Sequence, residues 1–114
     1  MCCNPCATNT APADETLPSV DVVTAANRPE GVALLDVREQ AEWSSGHAPG
    51  AIHQRLGAID PDTLRCYEQV YVMCRSGNRS ATATRRLREA GIDAHNITGG
   101  IIAWAEARLP ADFS

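Results

Sequence analysis

Short apolar runs separated by turn residues predict a series of buried strands. Residues 32–37 and 70–73 are almost continuous apolar runs bounded by polar or turn residues, which is typical of strands buried on both faces. Residues 94–97 predict a last strand, Ile52-His53 a brief one, and Val20 the beginning of a first short strand. These segments are expected to pair in one sheet.

Helical patterns occupy the intervals between these strands. Residues 80–90 place apolar side chains on one face and stop at Gly91, which predicts a helix. Shorter helices are predicted at residues 39–43 and 101–107, and Asp60-Pro61-Asp62 indicates a helix as far as Tyr67. Strands that alternate with helices predict an α/β fold with a parallel sheet covered on both faces.

Length and composition predict a single domain preceded by a tail. The chain has 114 residues, of which residues 1–18 are rich in Ala, Thr, Pro and Asn and predict a flexible tail. Residues 19–114 then form the domain. No stretch is apolar enough to cross a membrane, and the N-terminus lacks the pattern of a secretory signal, so we expect a cytoplasmic protein without a membrane partner.

The charges favour a small anionic substrate. The net charge of −4 argues against nucleic acid as the main partner. The chain has no Lys, which excludes Schiff-base chemistry and a Gly-Lys-Ser/Thr phosphate loop. Five of the ten Arg lie between Arg75 and Arg88 with no acid among them. Arg85, Arg86 and Arg88 also fit the solvent-facing side of a helix.

The candidate chemistry is in the cysteine loop, which we define as residues 74–80. Cys74 follows a buried strand and precedes a helix, and ligands of parallel sheets bind beyond the carboxyl ends of strands. Helix-terminal N–H groups, a nest permitted by Gly77, and the charges of Arg75 and Arg79 all favour a thiolate. No His is close in sequence, so the nucleophile must already be ionised. A Cys in this position without such a loop is more often an inert core residue.

Four motifs, taken together, resemble the rhodanese family of single-domain sulfurtransferases over residues 19–110. Each motif is weak alone, but their order and spacing are specific. They are Leu35-Asp36-Val37-Arg38, Glu42-Trp43 followed by residues 46–53, the cysteine loop, and Gly99-Gly100-Ile101-Ile102-Ala103-Trp104 ending at Leu109-Pro110.

The resemblance implies a three-layer fold, with a parallel sheet of about five strands between helices, and a persulfide on Cys74. The sulfur would come from thiosulfate or a similar anionic donor and pass to cyanide or a thiol, with a protein as a further candidate acceptor. No cofactor and no metal are expected. Asp36 and Arg38 would support the loop, with a purely structural ion pair as the alternative. The donor-binding cradle would be Arg75, Ser76, Gly77, Asn78, Arg79 and Ser80.

Two other functions remain open at this point. A phosphatase or arsenate reductase of the same fold would use Cys-x5-Arg, whereas this loop is Cys-x4-Arg and encloses a smaller centre. A non-catalytic interaction module commonly lacks the loop Cys, which this chain keeps. Some family members hold thiosulfate with a loop Lys, and its absence here leaves the preferred donor open.

The remaining cysteines carry no defined chemistry. Cys66 is predicted to be a partly buried helix residue. Cys2, Cys3 and Cys6 fit three interpretations: an unstructured tail with incidental thiols, a sulfur-accepting or resolving arm, and a thiophilic metal site that lacks a fourth ligand.

Overall fold

A parallel five-stranded sheet forms the centre of the computed structural model, which describes residues 17–111. The strands are β1 (Ser19–Val20), β2 (Val32–Asp36), β3 (Ile52–His53), β4 (Gln69–Met73) and β5 (Ala94–Ile97). They lie in the order β1-β5-β4-β2-β3, and every neighbouring pair is parallel. The longest pairing joins β2 to β4, from Val32 opposite Gln69 to Asp36 opposite Met73.

Three α-helices lie between strands and a fourth follows β5, and the prediction of an α/β fold with about five parallel strands is confirmed. Two 3₁₀ helices, Leu56–Ala58 and Pro61–Leu64, lie between β3 and β4. The α-helices are α1 (Val22–Ala26), α2 (Gln40–Ser44), α3 (Asn78–Glu89) and α4 (Gly100–Glu106).

Two sequence-based predictions in the helical segments are wrong. The expected helix from Asp60 to Tyr67 is only the short 3₁₀ helix Pro61–Leu64, and Cys66 beyond it is exposed rather than partly buried in a helix. Helix α3 begins at Asn78 instead of Ser80, because Gly77 adopts a left-handed conformation that starts the helix earlier. The last three residues of the cysteine loop are therefore the first turn of α3.

The sheet separates two apolar cores, and the alternation of side chains along β2 and β4 assigns each residue to one of them. Helix α3 covers one face, while α1 and α4 pack together on the other. The core on the α3 side includes Ala33, Leu35, Val37, Val70, Val72, Cys74, Ala83 and Leu87. The opposite core includes Val22, Ala25, Val32, Leu34, Tyr71, Met73, Ile97 and Trp104.

A buried ion pair connects the end of β2 to the segment before β3. The Arg38 guanidinium donates to both carboxylate oxygens of Asp36, at 2.8 Å for the shortest contact, and to the carbonyl oxygen of Gly46 at 2.7 Å. Asp36 is fully buried and Arg38 is 4% exposed. The paired charges therefore satisfy each other where water is excluded.

The tail cysteines lie outside the described residues, so the three interpretations of Cys2, Cys3 and Cys6 stay predictions, as does the division at residue 18. Between residues 17 and 111, no helix is both long enough and apolar enough to cross a membrane.

The buried pair yields a stability prediction. Asp36→Asn leaves the Arg38 guanidinium without its counter-charge, so the free energy of unfolding should fall by about 3–5 kcal/mol. The matched control is Asp62→Asn, which breaks the exposed pair with Arg65 and should cost at most about 1 kcal/mol. Urea denaturation measures both. Equal losses in the two variants would contradict a dominant role for burial.

Candidate active site

Cys74 lies at the carboxyl end of β4, the central strand of the sheet. Its side chain points to the α3 side and is 1% exposed. The next two residues, Arg75 and Ser76, are exposed. The sulfur atom is therefore packed below a solvent-facing loop, in the place where ligands of parallel sheets bind.

Helix α4 holds the backbone of the cysteine loop in one orientation. The N–H of Ile101 donates to the carbonyl oxygen of Cys74 at 2.8 Å, and the N–H of Ile102 donates to that of Arg75 at 3.2 Å. Because a peptide group is planar and trans, the N–H that follows each of these carbonyls points away from α4. The loop carbonyls thus face α4, and the loop N–H groups are free to face the sulfur.

Gly100 permits this close approach of α4 to the loop. A Cβ atom at this position would lie inside van der Waals contact of the Cys74 carbonyl oxygen and 2.6 Å from that of Arg75. Its φ of +57° is also rare for residues with side chains. The helix predicted at residues 101–107 therefore begins one residue earlier, at Gly100.

The sulfur atom of Cys74 accepts hydrogen bonds from the start of α3. The Gly77 N–H lies 3.0 Å from Sγ, and the Ser80 hydroxyl lies 3.3 Å from it. Gly77 is the N-cap residue of α3 and has no side chain to cap the helix. Sγ therefore takes the place that a capping oxygen has in other helices.

These donors set the ionisation of Cys74. Burial raises the pKa of the thiol, but the Ser80 hydroxyl and the N–H groups of Ser80, Gly77 and Ser76 lower it by more. The net pKa is below the ordinary value. The expected thiolate thus has a physical cause in hydrogen bonds to the charged form.

Asn96 on β5 is a site residue that the sequence reasoning missed. Its side-chain oxygen lies within short hydrogen-bonding distance of the Ser80 hydroxyl, which also reaches the sulfur. A hydroxyl has a single proton, so Ser80 donates either to Asn96 or to Sγ. When Ser80 donates to Sγ, the amide group of Asn96 must present its NH₂ to Ser80. No local motif indicates this contact, because residues 80 and 96 are brought together only when α3 packs on the sheet.

Glu42 is the second missed residue. The sequence analysis predicts that the positive charge of Arg79 acts on Cys74 and its donor. In the structure, both terminal nitrogens of Arg79 donate to the two carboxylate oxygens of Glu42 at 2.8 Å. Arg79 lowers the pKa of Glu42 to about 2, and Glu42 raises that of Arg79. The pair is therefore ionised on both sides. Glu42 belongs to a motif recognised in the sequence, but its partner was not apparent.

The remaining predicted site residues lie around this centre. Asn78 is exposed in the first turn of α3, next to the exposed Arg75. The Asp36–Arg38 pair lies buried at the end of β2, and its predicted support of the cysteine loop stays a prediction. Cys74 and the first turn of α3 thus lie together, with Arg75 and Asn78 at the solvent-facing mouth.

The histidines have structural partners. His47 stacks on Trp43 with ring centroids 3.6 Å apart, and His53 stacks on the same ring at 4.7 Å. His95 contacts Asp93. None of these contacts involves Cys74, so they provide no general base beside the sulfur.

The hydroxyl of Ser80 supplies the first site prediction. Ser80→Ala removes a donor to the thiolate, so the pKa of Cys74 should rise and its iodoacetamide alkylation at neutral pH should slow. The pH dependence of alkylation, followed by mass spectrometry, measures this. Ser76→Ala keeps its backbone N–H and loses an exposed hydroxyl, so the pKa of Cys74 should stay at the wild-type value. A Ser80→Ala profile identical to wild type would refute the hydroxyl's role.

Gly100 supplies the second site prediction. Gly100→Ala pushes α4 away from the loop carbonyls, which should lower the free energy of unfolding by at least about 2 kcal/mol and raise the pKa of Cys74. Gly57→Ala is the control, because nothing lies within 4 Å of its added Cβ. Its change should stay within about 0.5 kcal/mol. Urea denaturation and the alkylation profile test both variants, and a Gly100→Ala protein with wild-type values would show that the loop is held by other contacts.

Comparison with known proteins identifies the family. A family model described as a rhodanese-like domain matches residues 19–107. The Bacillus subtilis protein named "Putative sulfurtransferase YtwF" is 39% identical over 83 residues, which cover 71% of this chain and 81% of that protein. Another from the same organism, "Putative sulfur carrier protein YrkF", is 33% identical over 78 residues, which cover 66% of this chain but only 42% of that protein.

A solved structure agrees with these matches. The rhodanese-like domain protein from Staphylococcus aureus has a TM-score of 0.73 and 30% identity, and the match covers 86% of this chain and 99% of that one. With the family model matching most of its length, this chain belongs to the rhodanese-like domain family.

Proposed function

We propose that this protein is a sulfurtransferase that carries a sulfur atom as a persulfide on Cys74. The observation that carries the proposal is the environment of Sγ. The sulfur is buried, it accepts hydrogen bonds from Gly77 and Ser80, and its pKa is lowered. A buried thiol without a reaction to perform is ordinarily inert and protonated. The names of the two Bacillus subtilis relatives, a putative sulfurtransferase and a putative sulfur carrier protein, support sulfur chemistry.

The reaction has two displacement steps. The Cys74 thiolate attacks the outer sulfur of thiosulfate, the S–S bond of thiosulfate breaks, and sulfite leaves with the electron pair. Cyanide or a thiol, which in a cell includes a protein thiol, then attacks the terminal sulfur of the Cys74 persulfide. The acceptor takes that sulfur, and the Cys74 thiolate is regenerated. Neither step needs a metal or an organic cofactor.

The cysteine loop supplies the stabilisation for both steps. Its N–H groups surround the sulfur and are placed to stabilise the negative charge of the terminal persulfide sulfur. Ser76, Gly77 and Ser80 provide these groups in the proposal, and the exposed Arg75 and Asn78 meet the anionic donor at the mouth. Because the donors are already oriented, little reorganisation accompanies the reaction.

A phosphatase or arsenate reductase is disfavoured by Arg79. In the Cys-x5-Arg enzymes the Arg belongs to the ring around the anion. Here the loop is one residue shorter, and both terminal nitrogens of Arg79 donate to Glu42. A non-catalytic module is disfavoured by the retained Cys74 and its lowered pKa.

Cys74→Ser tests the proposal directly. Thiocyanate formation from thiosulfate and cyanide should fall to background while the far-UV circular dichroism spectrum stays unchanged, because the oxygen keeps the packing but cannot form a persulfide. In wild type, thiosulfate should add 32 Da to the peptide that contains Cys74. The control is Cys66→Ser, which changes an exposed thiol and should keep full turnover.

Two results would contradict the proposal. One is turnover by Cys74→Ser at the wild-type rate, which would remove Cys74 from the reaction. The other is faster hydrolysis of an aryl phosphate than transfer from thiosulfate by wild type, which would identify the loop as a phosphate site.

A further inference from the structure

We propose that Glu42 is a specificity-determining residue that selects against doubly charged donors by neutralising Arg79. The site would then favour a sulfane-sulfur donor with at most one negative charge on its reacting group, such as a small organic persulfide. This inference rests on the proposed sulfur transfer and specifies the substrate class of the same site.

Hydrogen bonds to Arg79 and to the backbone of α2 fix the position of the Glu42 carboxylate. Its carboxylate is bidentate to Arg79, which lies in the first turn of α3 two residues after Gly77. One of its oxygens also accepts the N–H of Glu39 at 2.9 Å, and the Glu39 side chain accepts the N–H of Glu42 in return. This reciprocal cap fixes Glu42 at the start of α2. The Glu42 and Arg79 side chains are 29% and 32% exposed, so solvent screens their interaction only in part.

Arg79 lies in the first turn of α3, two residues after Gly77, whose N–H donates to Sγ, so its charge belongs to the surroundings of the sulfur. The negative charge of Cys74 contributes to raising the pKa of Arg79, after the larger contribution of Glu42. Without Glu42, the guanidinium would therefore attract an anion that approaches the sulfur. With Glu42 in place, the acid cancels that attraction and occupies both terminal nitrogens.

Two other arginines, Arg38 and Arg75, provide little positive charge to balance a dianionic donor. Arg38 is tied to the buried Asp36. Arg75 is exposed and has no ion pair within residues 17–111. A thiosulfate dianion would thus meet the Cys74 thiolate with the net support of about one positive charge, and repulsion at short range is strong in a site of low dielectric.

A hydropersulfide avoids this repulsion. The Cys74 thiolate attacks the outer sulfur of R–S–SH, the S–S bond of the donor breaks, and R–S⁻ leaves with the electron pair. The proton stays on the new Cys74 persulfide. The donor enters without a charge, and the charge of the Cys74 thiolate leaves on R–S⁻, so no dianion has to be held there.

The test compares two donors in wild type and in Glu42→Gln. Gln keeps an oxygen that accepts the Glu39 N–H, and it removes the charge that neutralises Arg79. We expect kcat/KM for thiosulfate to rise about tenfold relative to kcat/KM for the persulfide of 2-mercaptoethanol, since an interaction with a charged group is typically worth that factor or more. Loading of Cys74, read as the 32 Da mass shift, gives both rates.

The matched control is Glu39→Gln. It removes one negative charge from the same end of α2, and the Gln oxygen can still accept the Glu42 N–H. The Glu39 carboxylate lies 3.6 Å from Arg55 and forms no ion pair with Arg79 within residues 17–111. The ratio of the two donors should stay within about twofold of wild type, because an exposed charge is screened. A general effect of net charge would instead change both variants equally.

The double variant with Glu42→Gln and Arg79→Gln isolates the contribution of the Arg79 charge. Glu42→Gln should produce no gain for thiosulfate when Arg79→Gln is also present, because the released guanidinium is the cause of the gain. Sulfate, an unreactive dianion, should protect Cys74 from iodoacetamide about tenfold better in Glu42→Gln than in wild type. This protection does not depend on turnover.

The outcomes separate this inference from the proposed function. If neither donor loads Cys74 in wild type, the sulfurtransferase proposal fails. If both donors load Cys74 but Glu42→Gln leaves their ratio and the sulfate protection unchanged, or shifts the ratio towards the persulfide, the charge-selector role of Glu42 is overturned.

Discussion

Two hydrogen bonds between backbone groups determine the orientation of the whole site. They join the first turn of α4 to the carbonyl oxygens of Cys74 and Arg75. Each contributes only about 1 kcal/mol to stability, but together they decide which way two planar peptide groups face. With the carbonyls held against α4, the N–H groups of the loop are free to face Sγ. Gly100 is required because any side chain there would occupy the space of those oxygens.

The position of the sulfur follows from the side-chain alternation of β4. Val70 and Val72 face α3, whereas Tyr71 and Met73 face α1 and α4. Cys74 continues the first series and so lies below the N-terminus of α3, where N–H groups lack helical partners. A shift of one residue would place the thiol against the opposite core. The packing of the sheet thus places the sulfur at the start of α3, where the N-cap residue Gly77 has no side chain to cap the helix.

The sequence predicts those parts of the molecule that local patterns encode. The apolar runs of β2 and β4 locate the sheet, and the loop between β4 and α3 identifies Cys74 and Gly77. The contacts of Glu42 and Asn96 were not predictable because they join residues 37 and 16 positions from their partners. The helix expected up to Tyr67 failed for a local reason. The turn residues at Asp60 and Pro61 favour a helix start, but the segment is short and buries only Leu64 completely, with Tyr67 packed partly against the core.

The site separates the control of reactivity from the control of access. Uncharged donors at short range, the N–H groups and the Ser80 hydroxyl, lower the pKa of Cys74. Their effect is local and is screened little by salt, because Cys74 is buried. Full charges lie further out, where Glu42 balances Arg79 and Arg75 faces solvent. On the function proposed, a change at Glu42 therefore acts chiefly on which donor arrives, because the hydrogen bonds that lower the pKa of Cys74 remain in place. A cationic cradle in direct contact with the sulfur would have coupled the two, since every cation added to attract a donor would also have stabilised the thiolate and weakened it as a nucleophile.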